Sequence, residues 1–137
     1  MNAADGEWIV HPTTQIEVWV ATGMSRERAL RRAALQHNGE LRIIRFFPDH
    51  GNPWPLWESD TEDPTPTPDV YGLSERLVDD MREWYETWES GFRFDSGWLD
   101  ASTGREWNTR GDDIADRLQA EVWDFAEVSR EHRRGHE

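Results

Sequence analysis

Twenty-eight Asp and Glu side chains are the commonest chemistry-bearing groups in this 137-residue chain. Two carboxylates can serve as general acid and base when burial or a like charge pushes one pKa upward. No stretch here sets one in an apolar run, and Asp79 and Asp80, neighbours on a predicted helix, point different ways. His11, His37 and His50 stand singly, and His132 and His136 lie four apart near the end of the chain. Neither an HExxH helix nor an EF-hand loop is present. Cysteine is absent, which removes disulfides, thiolate ligands and a thiol nucleophile. There is no G-x-S-x-G elbow, and the glycines form no phosphate-cradling loop. Arg26, Arg28, Arg31 and Arg32 could contact phosphate, but the overall charge favours an exposed helix face that balances the acidic half. No catalytic residue, metal ligand or cofactor is therefore expected, and the chain reads as a non-enzyme.

What the carboxylates can do together is generate a field. The formal charge is −13, and all fifteen basic residues are Arg. Residues 1–52 carry six acids and six Arg, so the whole excess falls on residues 53–137. Sixteen acids against five Arg lie between Glu58 and Asp113. Such a field speeds encounter with a basic protein and weakens with salt. It disfavours membrane surfaces and direct binding to a nucleic-acid backbone. Net charge also confers plain solubility, which is the competing use for these residues. The candidate partner contacts are Glu75, Asp79, Glu83 and Glu86, with Asp60 and Glu62 from the acidic run Glu58–Asp63.

The element that must hold most of them is Tyr71–Phe92, around which the chain is organised. Leu73, Leu77, Met81, Trp84, Trp88 and Phe92 recur at helical spacing, widened by Val78 and Tyr85. At 100° per residue, Glu75, Asp79, Glu83 and Glu86 fall on the opposite wall. Ser74 is the expected N-cap and Gly91 the close.

Other elements follow in order. Glu7–Val10 is a possible edge strand, and Gln15–Ala21 alternates as a better one. Ser25 caps a helix over Arg26–Gln36 that ends at Asn38-Gly39. Leu41–Phe47 carries apolar groups on both faces and reads as an inner strand. Residues 48–70 form an irregular, Pro-rich acidic connection, in which Trp54-Pro55-Leu56-Trp57 should fold back over the sheet and Glu58–Asp63 stay wet. A second helix is expected over about Arg105–Glu121, with Gly111 inside its apolar face admitting a helix or a Trp ring. Phe125–Val128 is read as a closing strand in preference to more helix. Residues 1–6 and 130–137 should be flexible, the latter as part of a polar tail that frays from Ser129. The expected fold is α+β, one domain over 1–137. It has a small three- to four-stranded sheet, an amino-terminal β-α-β unit, and an antiparallel pair of longer helices on one face. The apolar fraction is low at 36%, but nine Trp, five Phe and two Tyr can supply a core. No apolar run is long enough to span a bilayer and no secretory signal opens the chain, so cytoplasmic residence is expected.

One spaced pattern carries a resemblance. It comprises Arg42-Ile43-Ile44-Arg45, Pro55-Leu56-Trp57, Tyr71-Gly72-Leu73-Ser74-Glu75, Trp84 with Trp88, Gly97-Trp98, and Trp107 with Gly111, Leu118 and Glu121. The pattern resembles small acidic immunity proteins of bacterial polymorphic or contact-dependent toxin systems, over about residues 41–128. Residues 1–40 fall outside it. The resemblance implies a non-enzymatic inhibitor that occupies the active site or groove of a toxin, often a nuclease with a basic cleft. Its acidic helix would present carboxylates where phosphates would sit. Alternatives are a DNA mimic acting on a phage or host regulatory protein, and an assembly component that forms a homo-oligomer. An enzyme with a site built from scattered residues is a further class.

Overall fold

The computed structural model describes residues 5–133. In chain order its elements are β1 (Gly6–Val10), β2 (Glu17–Ala21), α1 (Arg26–His37), β3 (Arg42–Phe46) and β4 (Leu56–Trp57). After a 3-10 turn at Pro68–Tyr71 come α2 (Glu75–Gly91), β5 (Phe92–Arg93), β6 (Gly97–Trp98), α3 (Ala101–Val122) and β7 (Ala126–Arg130). The architecture is α+β. A central sheet has the order β4-β3-β7, and β1-β2 and β5-β6 are separate hairpins.

β3 is an inner strand, antiparallel to β4 and parallel to β7. Its Ile44 and Phe46 are buried against the helices, whereas Ile43 on the other face is exposed. The apolar doublets thus mark a central position in a sheet that only one face covers fully. The Trp54–Trp57 island does fold back: Leu56 is buried in β4, and Trp57 stacks on Phe47 with ring centroids 5.0 Å apart.

α2 begins after Ser74, whose Oγ accepts from the Leu77 N–H at 3.4 Å. α3 starts a turn earlier than the sequence suggested, because the Asp100 carboxylate accepts from the Ser102 N–H at 3.0 Å and caps it. The two helices pack together, and their buried stripes meet β3 and β7. Leu77, Met81, Trp84 and Trp88 come from α2, and Trp107, Ile114, Leu118 and Val122 from α3. Burying each large apolar side chain contributes about 1.5–3 kcal/mol before the entropy of ordering is subtracted.

The strand–helix–strand order at the start is present, but β2 and β3 do not share a sheet. β2 pairs with β1, and the parallel neighbour of β3 is β7. β2 turns Val18 and Val20 toward Ala29 of α1 in a small core of their own. β7 instead brings Ala126 and Val128 to the main core, extending the surface that Ile44 and Phe46 begin.

The amino-terminal arginines hold these two parts together. Arg28 donates to the Ala120 carbonyl at 2.7 Å and to Asp124, and Arg31 donates to Asp124 at 3.0 Å. Arg32 is buried and donates to the Ala126 carbonyl at 3.1 Å and to Glu127 at 2.9 Å. The reading of this cluster as an exposed, charge-balancing face holds for Arg26 and Arg31, which stay exposed and pair with Glu7 and Asp124, and is corrected for Arg28 and Arg32. These two clasp the end of α3, where free carbonyls and the negative end of the helix dipole favour cations.

Two further expectations are revised. Glu58 does not stay wet with the rest of its acidic run: it is 3% exposed and takes hydrogen bonds from Arg42 and from the Tyr71 hydroxyl, each at 2.5 Å. The chain after Ser129 does not fray as far as Arg133. Arg130 ends β7 and pairs with Asp116, and Glu131 is buried with both carboxylate oxygens on Arg45 at 2.9 Å. His132 and Arg133 both reach Asp112. Residues 1–4 and 134–137, also expected to be flexible, lie outside the described residues.

Candidate functional site

The orientation of α2 is fixed by an indole pair. Trp84 donates its ring N–H to the Trp107 carbonyl at 2.8 Å, and Trp107 donates to the Trp84 carbonyl at 2.9 Å. The two rings stack at 4.3 Å, with Phe46 on the other side of Trp84 at 4.9 Å. Both polar handles are satisfied inside the core, as buried Trp requires. Gly111 permits this approach: a Cβ there would lie 2.9 Å from the Trp84 ring and 2.6 Å from His132. The apolar stripe is thus pinned inward, and the opposite wall must face solvent.

Glu75, Asp79, Glu83 and Glu86 are all exposed on that wall. Glu75 and Glu86 form no ion pair among the described residues. Asp79 approaches Arg82 at 3.7 Å, and Glu83 approaches Arg110 at 3.5 Å. Pairs so exposed are worth about 0–1 kcal/mol and leave both carboxylates open to a competitor. The amino-terminal arginines go elsewhere, apart from Arg42, which takes Glu58. Asp80 faces away from Asp79 and pairs with Arg117 at 2.8 Å.

The wall is not uniform. Glu75 and Asp79 rim a depression of about 600 Å³ whose lining includes Trp54, Leu73, Val78, Asp69 and Arg82. Arg82 lies over the Trp54 ring at 5.7 Å. Apolar groups inside a polar rim are the arrangement found at strongly bound protein contacts. Sequence reasoning did not include Trp54 or Asp69 in this surface. Both come from the Pro-rich connection: Asp69 lies in the turn that leads into α2, and Trp54 is brought there only by the connection folding back.

Asp60 and Glu62 are exposed but do not extend the depression. Asp60, in a left-handed conformation at φ 60°, lines a different hollow with Arg42, Ile43 and Arg45. The six sequence candidates therefore divide into a helical group of four and a loop group of two.

The buried titratable groups have structural partners. Burial and the Glu58 hydrogen bond push the Tyr71 phenol well above its usual range. Burial lowers the His132 pKa, although Asp112 at 2.8 Å opposes this. Asp112 is itself held below the usual carboxylate range by Arg133. Among the described residues, no group of three His, Cys, Asp or Glu side chains could hold a metal. None of the described helices is long and apolar enough to cross a membrane.

Residues 42–130 match the model of a family described as Serratia CdiI immunity protein-like. The match runs from the first residue of β3 to the last of β7, the two strands that pair with each other. It leaves β1, β2 and α1 outside. No curated protein matches the chain. Proteins of this kind serve contact-dependent inhibition systems, where they bind and neutralise a toxin.

Proposed function

The chain belongs to the Serratia CdiI immunity protein-like family, and from that premise we propose that it blocks a basic-clefted toxin with the acidic wall of α2. In this reading Glu75, Asp79, Glu83 and Glu86 make the charged contacts, and Asp60 and Glu62 add to the field without forming the same patch. The protein works by binding, with no reaction of its own, and acts in the cytoplasm. A nuclease-like cleft suits it best, because carboxylates spaced along a helix can meet cations that otherwise hold phosphates. The observation that carries the reading is the weak internal engagement of the wall. Glu75 and Glu86 have no ion-pair partner among the described residues, and Asp79 and Glu83 have only loose, exposed ones.

The test combines Asp79→Arg, Glu83→Arg and Glu86→Arg in the full chain, with association to the cognate toxin domain measured at low and high salt. Association at low salt should slow by at least about tenfold, and the rates should converge as salt screens the field. The melting temperature should barely move, because these side chains touch no core. Unchanged association would remove the acidic wall from the interface. Failure of the unmodified protein to bind or neutralise the toxin would remove the inhibitor reading itself.

A further inference from the structure

The hairpin ahead of the family unit presents an open sheet edge. His11 N–H donates to the Ile16 carbonyl at 2.9 Å, and Thr22 N–H to the Asp5 carbonyl at 3.0 Å. With Gly6 opposite Ala21 and Val10 opposite Glu17, these bonds fix the antiparallel phase. Odd-numbered positions of β1 bond to β2. The N–H and C=O groups of Gly6, Trp8 and Val10 therefore point away from it, along the free edge. No third strand pairs there among the described residues. The edge is also apolar: Trp8 is 64% exposed and Val10 56%. Trp8 packs against Trp19 at 5.4 Å on the face opposite α1. β1 lacks the proline, bulge or inward charge that usually protects such an edge.

We propose that this edge joins a second copy of the chain, β1 against β1, antiparallel about a two-fold axis at Trp8. The result is a four-stranded sheet shared by two molecules. The proposal does not depend on the toxin-binding reading. Its warrant is the self-complementarity of the strand. Centred on Trp8, the pairing sets Gly6 opposite Val10 of the second copy and Trp8 opposite Trp8, so every outward N–H and C=O meets its complement. The same register places Glu7, the only acid in the strand, across from Ile9 and not from another Glu7. Glu7 is also paired with Arg26 of its own chain. Charge points to the same occupant. Residues 1–52 balance six acids with six Arg, while the remainder carries the whole −13. The hairpin itself carries three acids, of which Glu7 is paired with Arg26, so two copies meeting there bring together far less charge than the acidic remainder would. One short strand pair falls below the roughly 1,200 Å² of a standard interface, so the dimer should form and dissociate with concentration.

Sedimentation equilibrium of the full chain over a wide concentration range tests this, with a monomer–dimer equilibrium as the expected result. Val10→Pro removes an outward donor without touching a β1–β2 hydrogen bond, and should raise the dimer dissociation constant at least about tenfold. Ile43→Glu, at an exposed apolar position of the other sheet, should leave that constant unchanged. Hydrogen exchange on the unmodified chain gives a readout that does not depend on a variant folding. The Trp8 and Val10 amides should slow as concentration rises. A monomer throughout, a dimer indifferent to Val10→Pro with the hairpin intact, or equal exchange in dilute and concentrated samples would each overturn the proposal. Protection of those amides only on adding the toxin would assign the edge to the toxin instead.

Discussion

Trp84 and Trp107 each donate an indole N–H to the other's backbone carbonyl, at 2.8 and 2.9 Å, across stacked rings. The exchange ties α2 to α3 at one level and decides which wall of α2 meets solvent. Trp84→Ala removes a ring with no exposed area and should cost about 3–5 kcal/mol. Trp84→Phe keeps most of the packing but loses a buried hydrogen bond, for a cost of about 1–3 kcal/mol. Urea titration of both variants checks the order, and equal losses would show that the hydrogen bond, and not the packing, holds the pair.

Gly111→Ala separates helix propensity from packing. Alanine should gain about 1 kcal/mol in an exposed helix interior. Here its Cβ would sit 2.6 Å from His132 and 2.9 Å from Trp84, so one ring must move. Overpacking of this kind costs about 1–3 kcal/mol, which leaves a net destabilisation. A variant that melts above the parent would mean the rings yield easily.

Much of this could be read from the chain, and the reason is locality. Ser25 and Ser74 each cap a helix through an N–H three residues ahead, a distance that sequence displays directly. The inward stripe and outward carboxylates of α2 follow from helical period alone, as did a close approach at Gly111. Glu58 was not legible, because its partners Arg42 and Tyr71 lie sixteen and thirteen residues away, across a turn no propensity describes. The same holds for Glu131 and His132, whose partners stand in β3 and α3. Of the candidate site, the carboxylates were visible and the depression beside them was not, since Trp54 reaches it only through tertiary folding.

Glu58→Ala should therefore destabilise where Glu62→Ala does not, although both lie in one acidic run. Loss of Glu58 leaves the Tyr71 hydroxyl and the Arg42 fork without their acceptor, at about 1–3 kcal/mol. The exposed Glu62 should change stability by less than about 0.5 kcal/mol. Chemical denaturation of the two variants, with far-ultraviolet circular dichroism, makes the comparison.

Stability should also fall at both ends of the pH scale. His132 has a lowered pKa in the fold, so below roughly 6.5 the unfolded chain takes up its proton first and the folded state loses ground. Asp112, lowered chiefly by Arg133, adds a second loss as pH drops through the carboxylate range. Tyr71 is raised, so above about pH 10 the unfolded chain ionises first and stability falls again. Melting temperatures between pH 4 and 11 should show both arms. His132→Gln should flatten the mildly acidic one, and an unchanged slope there would assign it to other groups.

The pairing of β3 with β7 has a consequence for timing. The inner strand of the central sheet is made well before its parallel neighbour, with both long helices synthesised in between. Until then the buried surface begun by Ile44 and Phe46 lacks the Ala126 and Val128 half, and the wall on α2 has no finished body behind it. Contacts this far apart along a chain are slow to close. A cell that relies on this protein for protection is shielded by completed molecules only, so a truncated product that stops short of Ala126 should give no cover even though it carries every acidic residue of α2.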